Sequence, residues 1–307
     1  MDWKSEIDPN IWVFPRGMQR NGEVGPLSVQ WTSKYGSIIA SAWDIATTDG
    51  MNEKGLCANI LWLAESDYPV FDPKGKTPGI SISLWAQYVL DNFATVAEAV
   101  EHFRNEPFVI VSDYIPGTQK FTTLHLSISD AGGDNAIFEY IDGKLVIHHD
   151  PSYVVMTNSP VFEQQLALDD YWKGIPGTIA LPGTNRAADR FVRASYYIGV
   201  IPRTDDIRTS IASVFSVIRN CSVPFGISSE SEPNISSTRW RSVSDQKNLV
   251  YFFETALTPN VFWVTLKDFD LSEKGRVMKL DLSNYATYNG KANKSFKPAK
   301  PFKFLGI

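Results

Sequence analysis

Cysteine and histidine are both scarce in this 307-residue chain. Cys57 and Cys221 are the only two cysteines; they lack CxxC spacing, cannot build a disulfide framework and leave the redox compartment open. The four histidines are His102, His125, His148 and His149. No HExxH, His-x-His or GxSxG pattern surrounds them, so neither a zinc site nor a Ser-His-Asp triad is expected, and each reads first as structural. The phosphate-cradling loops GxGxxG and GxxxxGK[ST] are missing too. No apolar run reaches the roughly 18 residues of a membrane span. Met1 is followed by a charged stretch rather than a signal peptide. As given, the chain is expected to be cytoplasmic and off the membrane. Basic residues (29) and acidic residues (34) are interspersed, for a net charge of −5. Without a basic run, nucleic acid is not an expected partner.

What is present is an ordinary globular composition, 43% hydrophobic and 21% charged. No polar linker and no internal repeat interrupts it, so one domain over 1–307 is expected. Aromatics make up 13%, with nine Trp. They fit either a large core or an aromatic-lined ligand pocket.

Strand patterns fall at 11–15, 27–32 and 37–43, with Lys34-Tyr35-Gly36 as a hairpin candidate between the last two. Asp49-Gly50 and Glu53-Lys54-Gly55 supply turn chemistry before the apolar run 56–64, which reads as a buried strand. A Pro/Gly/Lys-rich loop follows at 72–79. Helical spacing appears over 83–93, then behind Thr95, where Glu98 completes a capping box. Strands return at 122–129, 136–141 and 144–148, the last two joined by Asp142-Gly143. Helices are expected over 160–172, 186–200 and 205–220, and strands over 238–244, 249–255, 261–266 and 276–281. Blocks of strands and helices without βαβ alternation give an α+β layered fold.

Thr157-Asn158-Ser159-Pro160 places a carboxamide where strand pattern gives way to helix pattern. Asn158 could donate to a developing oxyanion, or simply satisfy a turn. Arg190 shares a helix face with Arg186, as Asp189 does with Arg193. That spacing fits a solvated charged face, or a guanidinium held for a carboxylate. Asp2 and its neighbour Trp3 read, alone, as a solvated terminus.

In order, however, Met1-Asp2-Trp3, Trp31-Thr32-Ser33-Lys34-Tyr35-Gly36-Ser37, Thr48-Asp49-Gly50-Met51-Asn52-Glu53-Lys54-Gly55-Leu56, Thr157-Asn158-Ser159-Pro160 and Asp189-Arg190-Phe191-Val192-Arg193 form a recognisable set. The chain resembles the penicillin V acylase/choloylglycine hydrolase family, linear amide C–N hydrolases of the N-terminal-nucleophile superfamily. The resemblance runs over essentially the whole chain.

It implies a four-layer αββα sandwich. It also implies a mechanism in which an N-terminal Cys, freed by proteolysis, attacks the amide while its own α-amine serves as base. No metal or organic cofactor is implied. Asp2 matches the residue that holds the nucleophile's amine, Asn158 the oxyanion-hole Asn, and Arg190 the active-site Arg. Trp62 falls beside the oxyanion site, although a core Trp on a buried strand remains its other reading. Trp62 and Trp3 are expected to be substrate-binding or oxyanion-adjacent. The implied substrates join a hydrophobic acyl group to a small amine: penicillin V, an N-acyl homoserine lactone or a conjugated bile salt. The implied assembly is a homotetramer.

The nucleophilic Cys and an Arg of the family pattern would lie upstream of Met1. The chain is therefore expected to be N-terminally truncated, short of its first strand and most of the second, inactive and prone to aggregation. A longer natural form with an export signal would be periplasmic. The alternative function is a non-catalytic binding protein that keeps the acyl pocket.

Overall fold

A computed structural model describes residues 1–3, 6–175, 181–227 and 236–307. The strands of the first half are β1 (Asp2–Trp3), β2 (Pro9–Phe14), β3 (Gln19–Asn21), β4 (Gln30–Thr32), β5 (Ser37–Ala42), β6 (Ala46–Asn52), β7 (Cys57–Trp62) and β8 (Gly79–Ser81). Helices α1 (Trp85–Asn92) and α2 (Val96–Arg104) precede β9 (Val109–Val111), β10 (Leu124–Ser129), β11 (Asn135–Ile141) and β12 (Lys144–His149). Helices α3 (Phe162–Lys173), α4 (Ala187–Val200) and α5 (Ile207–Asn220) come next. The chain closes with β13 (Ser237–Thr238), β14 (Trp240–Asp245), β15 (Val250–Thr255), β16 (Phe262–Thr265), β17 (Met278–Leu280), β18 (Gly290–Lys291) and β19 (Lys297–Pro298).

Nine strands form one sheet in the order β12-β11-β10-β7-β6-β5-β2-β17-β19, and β14-β15-β16-β18 form a second. Strand alternation divides the apolar side chains between two cores. Ile11 and Val13 of β2, with Ile38 and Ala40 of β5, meet Trp240, Tyr251 and Phe253 of the second sheet. Trp12, Phe14 and Ile39 point the other way, onto Trp85, Val89 and Leu90 of α1 and Val96 and Val100 of α2. On the far side of the second sheet, Phe215 of α5 lies against Phe252 at 6.4 Å between ring centroids. Phe162 of α3 and Phe191 of α4 close a third, small core with Ile137. The result is helices on sheet, sheet on sheet, and helices again.

Local signals produced several of these elements as expected. Thr95 accepts from the Glu98 N–H, and the Glu98 carboxylate reaches back to the Ala94 N–H, so the cap of α2 is closed from both sides. Asp142 and Gly143 both take positive φ, as a two-residue hairpin between β11 and β12 requires.

Three expectations are corrected. Residues 27–32 do not pair with 37–43 through Lys34-Tyr35-Gly36: β4 pairs with β3, while β5 lies between β2 and β6. The Lys34 and Tyr35 N–H groups instead dock on Asp91 O at the end of α1, and the Gly36 N–H on the Glu53 carboxylate. Asp49-Gly50 is not a turn but the middle of β6. A Cβ on Gly50 would come within 2.5 Å of Ile38 O, so the glycine permits close passage beside β5. Gly79, expected to end a loop, begins β8, which pairs in parallel with the unanticipated β9.

β1 lies along β13, with Asp2 opposite Thr238 and Trp3 opposite Ser237. Two further bonds, from the Arg239 N–H to Met1 O and from the Met1 amine to Trp240 O, carry this pairing to the start of β14. Beyond that point β14 pairs only with β15 among the described residues. This arrangement brings the first residues of the chain beside α4 and the end of β7.

Candidate active site

Asp2 is fixed from two sides. Its Oδ1 accepts from the Thr238 hydroxyl at 2.5 Å, across the β1–β13 pairing, and its Oδ2 lies 3.2 Å from Arg190 Nη1. Arg190 projects from the first turns of α4, where its Nε donates to Asn185 O at 3.1 Å. Its Nη2 donates to Asn158 Oδ1 at 2.8 Å. Asn158 in turn donates through Nδ2 to Trp62 O, at the end of β7, at 2.7 Å. Asp2, Arg190 and Asn158 thus form one chain of bonds, with Trp62 attached to its far end.

The guanidinium planes the arrangement. A Lys at position 190 could reach one partner, whereas the forked Arg holds the carboxylate and the carboxamide at once. Orienting Asn158 through its oxygen also fixes which way its NH2 points. One Nδ2 proton goes to Trp62 O, and the second is available to an oxyanion.

Asn158 lies in an irregular segment between β12 and α3, and its backbone is braced. Gln165 Nε2 donates to Asn158 O at 2.9 Å and to Thr157 Oγ1 at 3.2 Å, and the Thr157 hydroxyl donates to Ala187 O at 3.0 Å. The start of α4 and the Asn158 loop are therefore tied together. On α4 the Arg190 side chain is turned inward to Asp2 and Asn158, while Arg186 at its start is exposed. Arg193 is buried and donates to Pro182 O at 2.7 Å and Thr184 O at 2.9 Å, while Asp189 takes the Thr184 hydroxyl.

Two adjoining cavities meet at this group, and Asp2, Trp3, Trp62, Asn158 and Arg190 line both. The inner one, about 470 Å³, is walled mainly by apolar side chains such as Ile60, Met156, Ile198 and Val217. That volume suits a small organic group. The outer one, about 1380 Å³, is more polar and includes Glu65, Lys120 and Arg186. Trp3 and Trp62 stand with their rings 5.9 Å apart, and the Lys120 ammonium lies 3.9 Å from the Trp62 ring centroid. Trp62 is a cavity wall rather than a core residue.

The Met1 amine is buried and donates to Trp240 O at 2.9 Å. Burial pushes its pKa below the usual amine value, against the pull of Asp2 and Asp49. Neither cysteine thiol is activated. Burial pushes Cys57, under the second sheet, up to about 12, and it also raises Cys221, whose Sγ lies 3.5 Å from Arg190 O. Reading the sequence missed Thr238, Gln165 and Lys120, because each reaches the site through contacts that no local pattern encodes.

A carboxylate, a carboxamide and a guanidinium thus converge beside an apolar cavity in a layered α+β frame. The chain belongs to the linear amide C-N hydrolases, choloylglycine hydrolase family, whose model matches residues 1–288. It is 53% identical to penicillin V acylase of Pectobacterium atrosepticum, over all of this chain and 87% of that protein. It is 29% identical to conjugated bile acid hydrolase of Lactobacillus acidophilus, over 59% of this chain and 61% of that one. Among solved structures, penicillin V acylase from Agrobacterium tumefaciens superposes with a TM-score of 0.94 at 62% identity, covering 100% of this chain and 94% of the other. A variant of conjugated bile acid hydrolase from Clostridium perfringens shares the fold at a TM-score of 0.75 and 22% identity, over 100% and 93% of the two chains. No helix among the described residues is long and apolar enough to cross a membrane.

Proposed function

We propose that the site binds amides whose acyl half is aromatic or otherwise hydrophobic and whose amine half is small, with penicillin V as the first candidate. N-acyl homoserine lactones and conjugated bile salts are the other members of the class. The observation that carries this reading is the bond chain from Asp2 through Arg190 to Asn158 at the mouth of the apolar cavity. The acyl group enters the inner cavity between Trp3 and Trp62, by burial of its apolar surface and ring contacts. Its carbonyl oxygen then meets the free Nδ2 proton of Asn158. A fixed donor of this kind is worth roughly 3 kcal/mol of barrier once the oxygen becomes charged. The amine half is left in the outer, more polar cavity. Asp2, held by Arg190 and Thr238, serves to hold the α-amine of a nucleophilic first residue.

Family chemistry needs a thiol and a free α-amine on one residue. Burial pushes up the thiols of Cys57 and Cys221, so neither supplies that nucleophile. A non-catalytic binding protein that keeps the acyl pocket is the second reading of the same cavity. A homotetramer remains the assembly proposed from family resemblance. The test pairs calorimetric titration of penicillin V with measurement of 6-aminopenicillanic acid release. Saturable binding with release supports hydrolysis at this site, saturable binding without release supports the non-catalytic reading, and absence of binding overturns the proposal.

A further inference from the structure

Beneath Thr157-Asn158 lies a buried ionic cluster that the reaction as described does not use. His125 on β10 and Glu139 on β11 are 2% and 1% exposed, in the strands that lead toward the site. His125 Nδ1 stands 3.0 Å from Glu139 Oε1, and its Nε2 stands 2.7 Å from Thr157 O. Both Glu139 oxygens also accept from the Phe162 N–H, at 3.2 and 3.0 Å, and His148 Nε2 from β12 lies 3.3 Å from Oε2.

The hydrogen-bond inventory decides the charges here. Phe162 opens α3, so Glu139 caps the N-terminal end of that helix, where free N–H groups and the helix dipole favour a carboxylate. Burial alone would raise the Glu139 carboxyl, but bonds from His125, His148 and Phe162 outweigh it and hold the group at about 2. An ionised Glu139 can only accept, and the Thr157 carbonyl can only accept. A neutral His125 would turn a bare ring nitrogen toward one of them, lone pair against lone pair. Both ring nitrogens must therefore carry protons. Among the described residues, the titratable groups facing His125 are Glu139 and, across it, His148.

We infer that His125 is a buried imidazolium, locked between Glu139 and the Thr157 carbonyl, and that it is the positioning residue for the Asn158 carboxamide. It acts one residue before Asn158, on the peptide from which that side chain departs. Gln165 fixes the following carbonyl and Arg190 fixes the side-chain oxygen. The position of the free Nδ2 proton is then set by three independent anchors, as a pre-organised oxyanion donor requires. This inference rests on the proposed amide-binding function.

Two probes and two variants test it in the full chain. In ¹⁵N NMR, the wild-type His125 ring should show both nitrogens protonated, and Glu139→Gln should leave one of them bare. Phenoxyacetate, whose carboxylate can meet Asn158, should bind His125→Phe about tenfold more weakly than wild type, as expected on losing an anchor of a charged contact. Anisole, which fills only the apolar cavity, should bind both within about twofold. A bare nitrogen in wild-type His125 overturns the inference. So does an unchanged affinity for phenoxyacetate, or an equal loss for both probes, which marks a merely structural role. Wild-type protein that binds neither probe overturns the amide-binding reading and the positioning role with it; wild-type binding that His125→Phe leaves intact overturns the positioning role alone.

Discussion

Asp2 and Arg190 stand 188 positions apart in the chain, and their carboxylate and guanidinium meet at 3.2 Å. Their side chains are 19% and 13% exposed, so the pair is screened less than a surface bridge. Its importance comes from the third partner. The same guanidinium holds Asn158, and so a carboxylate on β1, beside β13, is mechanically coupled to a carboxamide beside β7 of the nine-stranded sheet.

Arg190→Lys should uncouple them. The ammonium can follow Asp2 or Asn158 but cannot bridge both. The expected cost is about 2 kcal/mol of stability, between the values of exposed and fully buried pairs. Affinity for phenoxyacetate should fall about tenfold, the result of leaving Asn158 free to turn. Urea denaturation and calorimetric titration read the two effects.

Asn158→Asp keeps the size of the side chain and the acceptor for Arg190, but removes every donor. A carboxylate oxygen would then face Trp62 O across the present 2.7 Å contact. Stability should drop by about 1–3 kcal/mol. Phenoxyacetate binding should weaken by more than about tenfold through like-charge repulsion, while anisole binding stays close to wild type.

Asp49 gives a pH dependence of opposite sign to most carboxylates. It is buried between the sheets, bonded to Tyr251, Ser242 and Trp240, and burial raises its pKa despite those bonds. A carboxyl raised on folding binds its proton more tightly in the native state. Its contribution is thus complete below the ordinary carboxylate range and is lost as pH climbs toward the raised value. Asp49→Asn should flatten that decline and leave the protein at least as stable as wild type at pH 7. Melting temperatures recorded from pH 4 to pH 8 test this; a steeper decline in the variant would refute it.

Gly50→Ala tests the strand passage that local turn chemistry concealed. The added methyl would meet Ile38 O at 2.5 Å, Ile39 Cγ2 at 2.7 Å and Leu90 Cδ1 at 3.0 Å, with backbone on one side and packed core on the other. A loss of about 1–3 kcal/mol is expected in chemical denaturation, from overpacking alone.

The contrast between Gly50 and Thr95 explains what the sequence disclosed. Thr95 and Glu98 act on N–H groups within a few residues, so a short motif determines their geometry. Asp142-Gly143 behaves likewise. The role of Asp49-Gly50 depends on β5 passing alongside, which no window of local residues records. The same holds for Lys34-Tyr35-Gly36, drawn away from a hairpin by Asp91 and Glu53. At the site, Asp2, Asn158 and Arg190 were singled out only because their order along the chain resembles a family pattern. Thr238, Gln165 and the pair of His125 with Glu139 are supplied by distant strands and helices, and they carried no local signal at all.

The most direct test of the account is a crystal structure of the chain grown with saturating phenoxyacetate. The ring should lie in the inner cavity between Trp3 and Trp62, with one carboxylate oxygen within hydrogen-bond distance of Asn158 Nδ2. A ligand bound elsewhere, or a filled cavity with that carboxylate turned away from Asn158 and Arg190, would contradict it.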